Sequence, residues 1–145
     1  MLLLLGALTL LALGATQSSL LEVMMSSNEF YRLRAFAAAE TGIAAAEAEL
    51  ASTAARRLPE ARTRVPIPGM TGDSYDFTVR DGGEDTRFAE LSGGQRRARH
   101  ITIAATGRSL RSAQARVERG VRVVQDASGT VLTIETEFWL RNDAD

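Results

Sequence analysis

MLLLLGALTLLALGATQSSLLEVMMSSNEFYRLRAFAAAETGIAAAEAELASTAARRL, residues 1–58, decides how the chain reads. Residues 1–15 carry no charge and a single hydroxyl, Thr9, so this stretch leaves water for lipid, a groove or a translocon. As a helix rising about 1.5 Å per residue it spans roughly 22 Å, short of a ~30 Å hydrocarbon core. Leu20, Leu21, Val23, Met24 and Met25 prolong the apolar character. From Thr16 to Leu58 there is no proline and one glycine, Gly42, among alanine, leucine, glutamate and arginine, a composition that forms helix. Phe36, Ile43 and Leu50 recur every seven residues, with Leu33, Ala37, Ala44, Ala51 and Ala54 at flanking spacings, which predicts one apolar face. Leu33, Phe36, Ile43 and Leu50 are the expected packing residues of that face. Glu40 falls on or beside it, where a carboxylate is either paired or an exposed rim charge. Pro59 stops the helix, and an unbroken rod to Leu58 would be ~85 Å long.

Beyond the rod the grammar changes. Leu58 to Gly69 holds all three prolines and reads as a connector. After it the apolar period becomes two: Tyr75, Phe77 and Val79, then His100 to Gly107, Ala115 to Gln125, and Val131 to Leu140. Asp81-Gly82-Gly83, Ser92-Gly93-Gly94, Thr106-Gly107 and Ser128-Gly129 supply turn signals between these four candidate strands. Arg116, Glu118, Arg119 and Arg122 take the polar positions of the third, as expected for an antiparallel sheet with one wet face. The divisions are therefore a hydrophobic part of the helix at 1–25, an amphipathic part at 26–58, a Pro-rich connector at 59–69 and a sheet domain at 70–145. A four-stranded meander packed on the upper half of a long helix, an α+β fold, follows.

Composition excludes several chemistries. The 145 residues include 17 basic and 18 acidic groups, giving a net charge of −1 without the electrostatic footprint of a nucleic-acid binder. There is no cysteine, hence no disulfide, thiol nucleophile or Cys-ligated zinc, and the single His100 offers no imidazole cluster for a metal. Every basic residue is arginine, so no Walker A lysine exists and Leu91-Ser92-Gly93-Gly94-Gln95, though similar to an ABC-ATPase signature loop, reads as a turn before a strand. His100 reads as a hydrogen-bonded strand histidine and Glu84, Asp85 and Glu90 as solvated loop charges. The arginines at 96, 97, 99, 108, 111, 116, 119 and 122 make their segment basic, but no aromatic residues interleave them for stacking on nucleic acid. No catalytic residue, cofactor site or metal site is nominated, and no enzymatic activity is expected.

Leu8 to Leu50, with its apolar run, its Glu and Met region and the segment Ala35-Phe36-Ala37-Ala38-Ala39-Glu40, resembles the PilX-type minor pilins of type IV pili. Arg99 to Val124 is a weaker echo of the sheet portion of the same family. The resemblance implies a lollipop: a curved N-terminal helix, its first half in the inner membrane or the pilus core and its second half on an antiparallel sheet. It implies that Leu2, Leu3, Leu4, Leu5, Leu8, Leu10, Leu11, Leu13, Leu20 and Leu21 form the membrane and pilus-core part, and that Glu22, Arg34 and Glu40 supply polar helix contacts. Implied partners are other minor and major pilins, the inner-membrane assembly machinery, a large tip-adhesin subunit and membrane lipid. Implied locations are the bacterial inner membrane with a periplasmic domain and, after assembly, the extracellular pilus, with roles in pilus assembly and cell adhesion. The family's leader and processing glycine are not in this sequence, so the expected true start lies upstream. Two alternatives stand: a pseudopilin of a type II secretion apparatus, and an exported soluble binding domain whose first 14 or 15 residues are a cleaved signal peptide.

Overall fold

The computed structural model describes residues 2–52 and 58–142, with side chains at Gly6, 16–52 and 58–140. One helix, α1, runs from Leu2 to Ser52. At ~1.5 Å per residue its 51 residues extend about 76 Å. Five strands follow: β1 (Arg62–Pro66), β2 (Ser74–Glu84), β3 (Arg96–Arg108), β4 (Gln114–Asp126) and β5 (Val131–Asn142). They pair in chain order, all antiparallel, as one meander. A short helix, α2 (Thr86–Leu91), joins β2 to β3, and a single 3-10 turn at Leu110–Ser112 joins β3 to β4. The second half of α1 lies on one face of the sheet, which makes the fold an α+β lollipop.

The core forms where two periodicities meet. Ala35, Ala38, Ala39, Ile43, Ala46 and Leu50 recur at helical spacing and are buried, against Phe77 of β2, Ile101, Ile103 and Ala105 of β3, and Val117, Val121 and Val123 of β4 at alternate strand positions. Each larger side chain removed from water contributes roughly 1.5 to 3 kcal/mol. The centre of the helical stripe is made of small residues, and the backbones approach closely there. A Cβ at Gly107 would fall 1.9 Å from the Ala35 carbonyl oxygen and 2.4 Å from the Ala39 nitrogen. On the helix side, a Cβ at Gly42 would fall 3.0 Å from the Tyr75 ring and 3.1 Å from the Ala105 methyl.

Several expectations are corrected. The helix is described to Ser52 and not to Leu58, and Ala54 lies outside the described residues. Leu33 is 52% exposed, and Ala37, Ala44 and Ala51 are also exposed. At ~100° per residue they project away from the line Ala35–Ala39–Ala46. Phe36 flanks that line and meets Trp139 of β5 edge to face, with ring centroids 6.1 Å apart. The Pro-rich connector contributes β1, so the described residues form five strands. As an edge strand β1 tolerates Pro66 at its end, and its register shifts between Arg62 and Val65. Asp81-Gly82-Gly83 is a bulge inside β2 and not a turn between strands. Among the acidic residues read as solvated, Asp85 caps α2 by accepting from the Phe88 N–H at 3.1 Å.

Two aspartates, Asp81 in β2 and Asp126 at the end of β4, tie the fold to pH. The Oδ1 of Asp126 accepts from the Ser128 hydroxyl and from the N–H groups of Ser128 and Thr130, closing the β4–β5 turn. Those bonds, the Ser128 hydroxyl first, hold the Asp126 carboxyl below the usual aspartate range. Asp81 is held low chiefly by the hydrogen bond from the Arg99 guanidinium across the β2–β3 pair.

Gly107→Ala is expected to destabilise the fold by about 3 kcal/mol or more, because the new methyl meets helix backbone that cannot swing away. Gly120→Ala is expected to cost less, since its clash is with the partly exposed Phe138 ring. Equal losses of thermal midpoint in the two variants would contradict this account. A folded-state pKa below the unfolded one contributes stability that is present above about pH 3.9 and is lost as pH falls through the lowered value. Urea midpoints are therefore expected to drop below pH 4, and Asp126→Asn to flatten that limb. An unchanged slope in the variant would refute the assignment.

Candidate functional site

Ahead of the sheet-bound part of α1, the described side chains from Leu20 to Met25 stand in the open. Leu20, Leu21, Val23, Met24 and Met25 are 59 to 71% exposed, and Glu22 on the same stretch is exposed as well. Leu2, Leu3, Leu4, Leu5, Leu8, Leu10, Leu11 and Leu13 lie outside the residues whose side chains are described. Among the described residues, no helix is long and apolar enough to cross a membrane. An apolar helix surface of this extent is a surface for something else to cover.

Where the helix meets the sheet, three sets of charges fix it. At the lower end the Nε of Arg34 donates to Asp73 Oδ2 at 2.8 Å, while the Ser109 hydroxyl donates to Asp73 Oδ1 at 2.7 Å. Asp73 is 3% exposed, so these two donors compensate a buried carboxylate. In the middle Arg119 reaches from β4 to two helical carboxylates one heptad apart, Glu40 at 3.1 Å and Glu47 at 3.0 Å. The second oxygen of Glu40 accepts from the Trp139 indole N–H at 3.0 Å, so β5 joins the same cluster. At the upper end Arg62 of β1 pairs with Glu49 at 3.1 Å. Arg34 and Glu40 are thus engaged inside the chain, whereas Glu22 projects from the free part of the helix.

Arg119 and Trp139 were missed as helix contacts. Arg119 shares strand parity with Val117, Val121 and Val123, and that parity was the available signal for the helix-facing side. Its Nε is buried and has no hydrogen-bond partner. Trp139 sits opposite Arg119 in the β4–β5 register and so falls on the same face.

The remaining arginines of the basic segment largely face carboxylates. Arg97 pairs with Glu84, Arg99 with Asp81, Arg108 with Asp76, Arg116 with Glu118 and Arg122 with Glu135. The hydrogen bond to Glu135 raises the Arg122 guanidinium above its ordinary range. This pairing spends the positive charge within the sheet and leaves little field for a polyanion. His100 Nδ1 lies 2.9 Å from Glu137 Oε2, a satisfied strand histidine. Leu91 to Gln95 forms the left-handed turn that ends α2, with Gly93 at φ 61° and Gly94 at φ 75°. A helix C-terminus exposes carbonyls and repels phosphate, whereas a nucleotide loop needs the amide end. Among the described residues no group of three or more acidic, histidine or cysteine side chains could hold a metal ion.

At the base of the sheet the 3-10 turn comes back against the helix. Arg111 donates from Nη1 to the Ser27 hydroxyl at 3.1 Å, and its guanidinium carbon stands 5.4 Å from the centroid of the Tyr31 ring. Below this contact opens a cleft of about 740 Å³ between the helix and the turn.

No curated protein and no solved structure matches the chain. A family model, PilX N-terminal, matches residues 1–44, which cover the free part of α1 and continue onto the sheet-bound part through Phe36, Glu40 and Ile43. Over these residues α1 is similar to the PilX N-terminal family, a similarity that supports a PilX-type type IV pilin.

Proposed function

We propose that the protein is a minor pilin, a structural subunit whose long helix α1 serves in two apolar solvents. Its leucine-rich half lies in the inner membrane, with the sheet in the periplasm, before assembly. Afterwards it lies in a bundle of neighbouring shafts within the extracellular pilus. The observation that carries this reading is one continuous helix whose second half packs on the sheet while Leu20 to Met25, ahead of it, are exposed. Lipid tails and a helix bundle are both apolar, so exchange between them leaves the hydrophobic contribution nearly unchanged and lets packing and polar groups decide assembly. Gly6, Ala7, Gly14 and Ala15 are small enough to admit a neighbouring helix. The partners are other minor and major pilins and the assembly machinery, with a tip-adhesin subunit among the pilus components. The role is structural and not catalytic.

The charges between helix and sheet then act as a coupling, because a shaft drawn into a fibre must carry its head in a fixed orientation. Removing one member of a partly buried charge cluster leaves the others facing each other without compensation.

Leu10→Arg is expected to abolish membrane retention and fibre incorporation, since a central arginine costs roughly 2.5 to 3.5 kcal/mol on insertion. Fractionation and immunolabelling of fibres read the outcome, and normal incorporation of the variant would sink the proposal. Arg119→Met is expected to lower head stability by about 1 to 2 kcal/mol. Adding Glu40→Gln and Glu47→Gln should recover part of that loss. A triple variant no more stable than Arg119→Met would show that the cluster is not a charge coupling.

A further inference from the structure

We infer that the cleft at the base of the head is a receptor for a carboxylate on the shaft of a neighbouring subunit, and that Glu22 of a second copy is the group it takes. The inference rests on the shaft-to-shaft association proposed above and adds the contact that sets its stagger.

The cleft lies between the helix segment around Asn28 to Arg32 and the turn carrying Arg111, Ser112 and Gln114. Arg32 and Arg111 both line it, against one carboxylate, Glu29. Arg111 differs from its neighbours in the sheet. Arg99, Arg108, Arg116, Arg119 and Arg122 each reach a carboxylate, whereas among the described residues Arg111 is held by a neutral hydroxyl and an aromatic face. A guanidinium so held is oriented and retains most of its capacity for a carboxylate. The backbone that presents it is strained. Arg111 and Ser112 lie at φ 55° and φ 60°, a left-handed conformation that residues with a Cβ adopt at a cost and that concentrates at functional positions.

The complementary group is a carboxylate on the free part of the helix. Glu22 and Glu29 are the acidic residues of α1 before Glu40, and Glu29 already lines the cleft. Glu22 projects from the free shaft. It stands ten residues below Arg32, about 15 Å along the axis at ~1.5 Å per residue. A parallel neighbour displaced by about that distance brings its Glu22 level with Arg32 and Arg111. Exposed Leu20, Leu21, Met24 and Met25 on the same turns supply the apolar contact around the ion pair.

The natural absence of cysteine allows a clean test in the full-length chain in membranes. One copy carries Ser19→Cys, one helical turn below Glu22. The other carries Ser112→Cys in the cleft, and a short bismaleimide joins thiols that come together. Leu13→Cys reports shaft association by itself, and Ser19→Cys with Glu90→Cys is the distant control. The expected result is a linked dimer of the 19 and 112 copies at several-fold the control yield. Arg111→Glu in the cleft copy should reduce it to the control level, and Glu22→Arg in the shaft copy should restore it. Linkage through Leu13 without linkage between 19 and 112 overturns the inference and leaves shaft association standing. No linkage through Leu13 overturns that association. A yield lowered by Arg111→Glu but indifferent to the residue at 22 shows that another anion occupies the cleft, and it overturns the assignment to Glu22.

Discussion

Contact of backbone with backbone at Gly107 governs the rest of the structure. The Ala35 carbonyl and the Ala39 amide leave no volume for a methyl on β3, so the helix can rest on the sheet at one rotation and one height. Small residues at 38, 39, 42 and 46 extend that close approach along the helix, and the larger side chains are displaced to its flanks. Ile43 and Leu50 fill the side toward Phe77 and Ile103, while Phe36 and Glu40 turn toward β5. Because packing at this density does not deform continuously, the rotation chosen at Gly107 also decides which face of the free half points outward.

Charge then reinforces what packing selects. Arg34 with Asp73, Arg119 with Glu40 and Glu47, and Arg62 with Glu49 hold the helix at its lower, middle and upper contacts. None is fully exposed on both sides, and Asp73 is buried, so each is worth more than a free surface pair and depends more on its partner. The same habit of pairing neutralises most of a segment that carries eight arginines. Strand geometry sets Asp76 and Asp81 of β2 opposite β3, and Glu135 of β5 opposite Arg122, so the register itself neutralises the sheet.

Much of this was legible in the sequence, and the exceptions have physical reasons. The long helix, four of the strands and the burial of Ile43 and Leu50 follow from composition and period. Leu33 misled because a heptad count weights large residues, whereas the contact face here is lined by alanine and glycine, whose value lies in letting backbones meet. Strand β1 was hidden by its prolines, which an edge position tolerates. Helix α2 is six residues long and depends on one capping aspartate, too short a run for periodicity to register. Arg119 was read as wet because arginine usually is, although its parity with Val117 and Val121 pointed inward. The cleft could not be read at all, since it joins residues 84 positions apart through a turn whose left-handed backbone has no glycine to announce it.

The meander has a kinetic corollary. Every strand pairs with its neighbour in sequence, so the sheet can zip up hairpin by hairpin with little loop-closure entropy at each step. Docking α1 is the opposite, for its bond to Trp139 spans 99 residues. The helix leaves the ribosome first and finds its seat last. Until β5 arrives the Trp139 edge of that seat is missing, although β2, β3 and β4 already supply its apolar floor. A chain whose first segment is already held in place searches a smaller volume for that final contact, so tethering hastens maturation of the head.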